Sequence, residues 1–308
     1  MHSLESSPLQ KVRTGTLEIE YADLGPPDSD PVILLHGFPY DIHSFTDVAP
    51  LLADAGRRVL VPYLRGHGGT VSLDDAGHSG QQAALGADVV EFMDALSLDN
   101  AVFAGFDWGG RAGCVAAAIW PERCTGLVSV TGYLIQNIAA AATPIDPAIE
   151  AGLWYFYYFA TERGRAGLAA NREEIARVIW TRNSPRWHFT DADLDRAARA
   201  FRNPDYVDVV IHSYRHRLGL APGHPRYADL EARLADSPPI RVPVVTLDGS
   251  ADGNFPATDG TGYARHLLGQ HTHHVVEDAG HNLPQEAPRA FVDAILELDD
   301  LASAADSV

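Results

Sequence analysis

One stretch restricts the fold more than any other. Ala101-Val102-Phe103-Ala104 runs directly into Gly105-Phe106-Asp107-Trp108-Gly109-Gly110, and from there into the small-residue stretch Arg111-Ala112-Gly113-Cys114-Val115-Ala116. A short apolar run bounded by glycine reads as a buried strand, and the small residues after it read as a helix. Glycines on either side of Asp107 allow the chain to turn sharply from strand to helix and to hold the central residue in a strained conformation. The aspartate is thereby lifted at the end of a sheet, beside a helix amino terminus that favours an anion. The alternative is that Asp107 only caps the helix. Its surroundings separate the two.

The same rhythm continues on both sides. Val32–Leu35, Arg58–Val61 and Leu127–Val130 are apolar runs without in–out alternation, the pattern of parallel strands covered on both faces. Between them, Gly86 to Leu96 places Val89, Val90, Phe92, Met93 and Leu96 on a helix face. This βαβ order predicts an α/β fold with a doubly wound, mostly parallel sheet. It stops near Tyr133, and to about Pro239 the chain has helical periodicity, with helices expected over Glu162–Trp180 and over Asp191–Phe201 behind the cap residue Thr190. Strands return at Arg241–Leu247 and His273–Val276. The expected organisation is therefore a core of residues 1–132 and 239–308 interrupted by a helical cap, or lid, at 133–238. The terminal Ala302–Ser307 is expected to fray.

Three further features occupy strand ends, where open α/β sheets bind ligands. His36-Gly37-Phe38-Pro39 follows the first run and offers backbone amides for half of an oxyanion hole. Asp248-Gly249-Ser250-Ala251-Asp252-Gly253 follows the penultimate strand. Glu277-Asp278-Ala279-Gly280-His281-Asn282 follows the last. A nucleophile, an acid and a base thus occur in the chain order of a hydrolase triad.

With these motifs the chain resembles α/β-hydrolases of the epoxide hydrolase and haloalkane dehalogenase group, most closely the soluble epoxide hydrolases, from about residue 14 onward. The resemblance implies a cofactor-free hydrolase with the α/β-hydrolase fold. It makes Asp107 the nucleophile, His281 the base and Asp252 the carboxylate orienting it, with Asp248 as competitor. The amides of Phe38 and Trp108 would hold the oxyanion. Two cap tyrosines would protonate the opened epoxide, at the positions of Tyr158 and Tyr214. An aromatic stripe packing the cap is the other reading of Tyr158. His36 and Pro39, in the loop beside Phe38, are named with Arg111 as substrate contacts, although His36 and His67 also read as structural hydrogen-bonders. Arg111 stands four residues after Asp107, where fluoroacetate dehalogenases carry an arginine that binds the substrate carboxylate; a salt bridge is the other reading. Two departures from the family stand out: Phe106 replaces the usual histidine before the nucleophile, and Phe38 stands where haloalkane dehalogenases carry asparagine.

The expected reaction is hydrolysis of an epoxide to a diol through an aspartyl ester. Hydrolytic dehalogenation of a haloalkane or haloacid is the enzymatic rival, and a non-catalytic binding protein on a hydrolase scaffold is a third. The partner is a small molecule. With 23 Lys and Arg against 41 Asp and Glu, the net charge of −18 repels nucleic acid and anionic membrane surfaces. Met1-His2-Ser3-Leu4-Glu5 shows no secretory signal, no apolar stretch is long enough to span a bilayer, and a cytoplasmic protein is expected. Cys114 and Cys124 read as small buried side chains rather than a disulfide. His271-Thr272-His273-His274 fits no common zinc spacing, and no metal is expected. A homodimer is left open.

Overall fold

The computed structural model describes residues 2–305. Its sheet is built from β1 (Gln10–Arg13), β2 (Leu17–Leu24), β3 (Pro31–Leu35), β4 (Arg58–Pro62), β5 (Val71–Ser72), β6 (Ala101–Gly105), β7 (Cys124–Val130), β8 (Val244–Gly249) and β9 (His271–Val276). The order is β1-β2-β4-β3-β6-β7-β8-β9, with β5 paired to β2. From β4 across to β9 every pairing is parallel, while β1, β2 and β5 add an antiparallel edge. The apolar runs become central strands for the expected reason: all of β6 and β8 and nearly all of β3, β4 and β7 are buried. The antiparallel edge went unread in the sequence. In β2, Leu17, Ile19 and Tyr21 are buried while Glu18 and Glu20 face outward, a half-buried strand with period two.

Helices cover both faces. On one side lie α2 (Gln82–Ala95) and α3 (Asp107–Ile119), which pack on each other; on the other lie α1 (Val48–Asp54) and the terminal α13 (Pro288–Ala305). Between β7 and β8 come seven α-helices, with short 3-10 turns between some of them, and no strand among the described residues: α4 (Pro147–Gly152), α5 (Trp154–Ala160), α6 (Glu162–Ala170), α7 (Arg172–Asn183), α8 (Asp191–Ala198), α9 (Tyr206–Arg217) and α10 (Ala228–Ala235). Two short helices, α11 (Thr261–Ala264) and α12 (Leu283–Glu286), complete the set.

Three expectations need adjustment. The single helical stretch from Glu162 is two helices, because Asn171 leaves helical geometry (φ −135°, ψ 47°). The strand expected from Arg241 starts at Val244; Pro243 has no N–H to give, and its carbonyl instead accepts from Leu127 N at 2.9 Å. The expected frayed tail is helical through Ala305, and Asp306 and Ser307 lie outside the described residues. Thr190 does cap α8, in a reciprocal box with Asp193. Both cysteines are buried and free.

Candidate active site

β3 and β6 are neighbours at the centre of the sheet, and their carboxyl ends deliver the first two parts of the site. Asp107, at the start of α3, has φ 51°, a left-handed conformation that costs a non-glycine residue about 1–3 kcal/mol. The turn is possible because its neighbours lack side chains. A Cβ on Gly109 would lie 2.0 Å from the Leu35 carbonyl oxygen, and one on Gly37 would lie 2.6 Å from Asp107 Cβ. This close approach lets two backbone amides clamp one carboxylate oxygen: Phe38 N donates to Asp107 Oδ1 at 2.8 Å and Trp108 N at 2.6 Å.

The second oxygen faces the loop after β9. His281 Nε2 lies 3.4 Å from Asp107 Oδ2, and His281 Nδ1 lies 2.8 Å from Asp252 Oδ2. The Asp252 side chain is fully buried, and its Oδ1 accepts from Asn254 N and Phe255 N. Asp248 is occupied elsewhere, accepting from Thr258 N, Thr258 Oγ1 and Tyr263 OH. Burial alone would raise the Asp107 carboxyl, but the bond and charge of His281 and the two amides outweigh it and hold the group below its ordinary range. Burial likewise disfavours a charged imidazole; Asp252 and Asp107 overcome that and raise His281 to about 10. In the free site His281 is thus a proton-bearing partner of Asp107.

Asp107, Trp108, Arg111, Tyr155, Arg217 and His281 line a cleft of about 340 Å³ whose remaining wall is mainly apolar. Tyr158 is not on that wall. One helical turn beyond Tyr155, it lies beside α6, where Gly167 leaves room for its hydroxyl: a Cβ there would lie 1.8 Å from it. The cap tyrosine that reaches the pocket is Tyr155, which the sequence reading passed over. Tyr214 is fully buried just behind the wall, edge-on to Tyr155 at 5.4 Å and 5.9 Å from Trp108. Both phenols are pushed up, first by burial; Tyr155 and Asp107 add to the shift at Tyr214, and Asp107 to that at Tyr155. Both therefore remain protonated donors.

Two expected substrate contacts are structural. His36 Nδ1 lies 2.9 Å from Gly37 O and its Nε2 accepts from Leu64 N at 3.0 Å, while burial lowers it to about 4. Its ring is committed to holding the loop. Pro39 gives its carbonyl to Trp180 Nε1 at 2.9 Å, tying α7 to that same loop. Arg111 does line the cleft, and among the described residues it makes no ion pair with a carboxylate.

The α/β hydrolase fold family matches residues 30–288. The chain belongs to the α/β-hydrolases. A crystal structure of a candidate epoxide hydrolase from Klebsiella pneumoniae is 46% identical, with a TM-score of 0.93 over 97% of this chain and 98% of that one. Epoxide hydrolase A of Mycobacterium tuberculosis is 28% identical over 313 residues, 93% of this chain and 95% of the relative. A haloalkane dehalogenase from Mycolicibacterium paratuberculosis is 34% identical over 121 residues, covering 39% of this chain and 40% of the relative. This hydrolase is epoxide hydrolase-like.

Other groups in the hydrolase site had no motif to announce them. Ser184, just after α7, accepts from His281 N at 3.0 Å and donates to Glu286 at 2.6 Å; Glu286 also accepts from Gly280 N and Asn282 N. The loop bearing the imidazole is thus pinned from both sides. Arg217 was missed as well, although it stands three residues after Tyr214 on α9, close to the same helix face. The Arg215 between them turns away to Phe159 O and Glu162. In the histidine cluster, His271 and His273 share Thr246 Oγ1 and His274 pairs with Glu297. Among the described residues no helix is long and apolar enough to cross a membrane.

Proposed function

We propose that this hydrolase converts epoxides to diols through an ester on Asp107. The observation that carries the reading is the division of labour within one carboxylate: Oδ1 is clamped by two amides, while Oδ2, 3.4 Å from the imidazole, is the oxygen left to attack. Oδ2 attacks a ring carbon, the C–O bond breaks, and its electron pair goes to the ring oxygen, which takes a proton from the Tyr155–Tyr214 pair. Esterification removes the Asp107 charge, one of the causes keeping His281 protonated. The imidazolium releases its proton, which restores the phenol.

Neutral His281 then takes a proton from water, whose oxygen adds to the ester carbon. Negative charge develops on Oδ1, where the Phe38 and Trp108 amides already point. Collapse passes the remaining hydroxyl proton to the departing diol oxygen and restores Asp107 beside a protonated His281. Dehalogenation is the second reading, favoured by one observation: Trp108, the residue after the nucleophile, is buried on the cleft wall beside Tyr214, and its indole N–H is a suitable halide donor.

His281→Gln tests the two-step course. With styrene oxide this variant should accumulate a covalent adduct on Asp107, seen by mass spectrometry of the intact protein and its peptides. Absence of an adduct with any reactive epoxide sinks the ester mechanism. Halide release from chloroacetate by the wild type, with no diol from styrene oxide, replaces the epoxide reading with the second.

A further inference from the structure

The last turn of α7 lies in the helical stretch between β7 and β8, yet it touches three of the loops that build the site. Trp180 gives its indole N–H to Pro39 O at 2.9 Å, next to the Phe38 amide that holds Asp107. Asn183 O accepts from Gly253 N at 2.9 Å, next to Asp252, and from His281 N at 3.3 Å. Ser184 Oγ accepts from His281 N at 3.0 Å and Asn282 N at 3.3 Å and donates to Glu286 at 2.6 Å. One helical turn thus reaches the oxyanion loop, the acid loop and the base loop. α7 packs in turn against α6 and α8.

These bonds meet needs on both sides. The carbonyls of a helix's last turn have no partner inside the helix, and a buried one must find its partner elsewhere. Asn183, buried at the end of α7, finds it in the acid and base loops. Ser184 is buried too, and it uses its hydroxyl as donor and acceptor at once on the far side of the cleft. Both loops carry glycine where the turn comes closest. A Cβ on Gly253 would lie 1.9 Å from Arg182 O, and one on Gly280 would lie 2.7 Å from Ser184 Cα. The approach is therefore backbone against backbone. Glu286 holds the amides on either side of the base, Gly280 N and Asn282 N, but the amide of His281 itself goes to Ser184 and Asn183.

We infer that Ser184, together with the Asn183 carbonyl, is the positioning residue of the base: α7 holds His281 in line with Asp252, so that ester hydrolysis depends on a docked α7. The inference rests on the proposed ester course for its rate readout. Ester formation uses Asp107, which Phe38 N and Trp108 N clamp without help from Ser184. Hydrolysis needs an imidazole whose Nδ1 meets Asp252 while its Nε2 faces the ester. Loosening Ser184 therefore falls on the second step.

Ser184→Ala removes the hydroxyl and leaves the Asn183 carbonyl in place. In single turnovers with styrene oxide, followed by rapid quench and intact-protein mass, the ratio of ester hydrolysis to ester formation should fall about tenfold or more, as small misplacements of a catalytic group do. Ser184→Thr, which keeps the hydroxyl, should recover part of that ratio. A ratio cancels any general loss of folded protein. A ratio in Ser184→Ala equal to that of the wild type, or one in Ser184→Thr as low as in Ser184→Ala, overturns the inference. Histidine NMR titration reads the positioning without the chemistry. Burial lowers the imidazole and Asp252 does most to raise it, to about 10, so His281 should titrate lower in Ser184→Ala. The same titration in both proteins overturns the inference. A lowered titration with no ester in any variant keeps the positioning role and sinks the ester course.

Discussion

At the scale of single residues, the site depends on charges that are coupled through His281. Removing the Asp107 charge should lower the imidazole from about 10, since the bond and charge of Asp107 are among the causes that raise it while burial opposes them. Asp107→Asn followed by histidine NMR titration checks this; an unchanged imidazole would contradict the proposed release of a base upon esterification. The sign for stability follows by linkage. A group raised above its ordinary 6.5 contributes stability that is complete below pH 6.5 and is lost as pH rises through about 10. Wild type should therefore lose more stability across that window than Asp107→Asn, by denaturant melts at fixed pH. Tyrosines give a second residue-scale contrast. Tyr155→Phe should reduce kcat by about 10² or more, the range of a positioned general acid. Tyr158→Phe, whose hydroxyl lies against Gly167, should stay within roughly twofold. Equal effects would return Tyr158 to the site. Sequence could not orient these residues: Trp154–Ala160 is apolar or aromatic on every side, so no polar face marks which tyrosine looks inward. By contrast, Asp107, His281 and Asp252 were legible because each sits at or just beyond a strand end and has its own local motif.

Elements transmit this geometry, and one buried ion pair joins several of them. Arg65, fully buried after β4, donates to both oxygens of Asp88 on α2, to the carbonyls of Ala76 and Ser79, and to Tyr227 OH beside α10. It ties the core to the helical region next to Gln82, whose Oε1 accepts from Arg111. Replacing only the cation leaves a buried carboxylate alone, which costs roughly 3–5 kcal/mol. Arg65→Met should thus lower stability by that amount in urea melts, and Arg65→Met with Asp88→Leu should recover most of it. If the double variant is no better than the single, the lost bonds to Ala76, Ser79 and Tyr227 matter more than the stranded charge. The central strands were readable because burial on both faces leaves unbroken apolar runs. β1, with the polar residues Gln10, Lys11 and Arg13, carries no such run, and the break between α6 and α7 lies at Asn171, a residue ordinary enough in a helix to pass unnoticed.

For the whole molecule, charge is distributed in opposition. The net charge is −18, yet the cleft beside Asp107 is lined by two arginines that make no ion pair among the described residues. No pattern in the sequence foretold this, because Arg111 and Arg217 are more than a hundred residues apart and come to line one cleft only in the folded chain. The outer excess is a stability term. Like charges crowd together on folding and are farther apart in the unfolded chain, so their repulsion opposes the compact state. Salt shortens the screening length from about 30 Å at 0.01 M to about 10 Å at 0.1 M, which weakens this long-range repulsion most. Exposed ion pairs such as Lys11–Glu18 weaken too, but each is worth only about 0–1 kcal/mol and acts over one contact. Repulsion should therefore win, and the melting temperature should rise with sodium chloride, by roughly 2–4 °C for each kcal/mol relieved. Calorimetric scans at pH 7.5 between about 10 and 300 mM sodium chloride, the range in which screening changes most, check the sign. A falling melting temperature would mean that the local pairs outweigh the collective field.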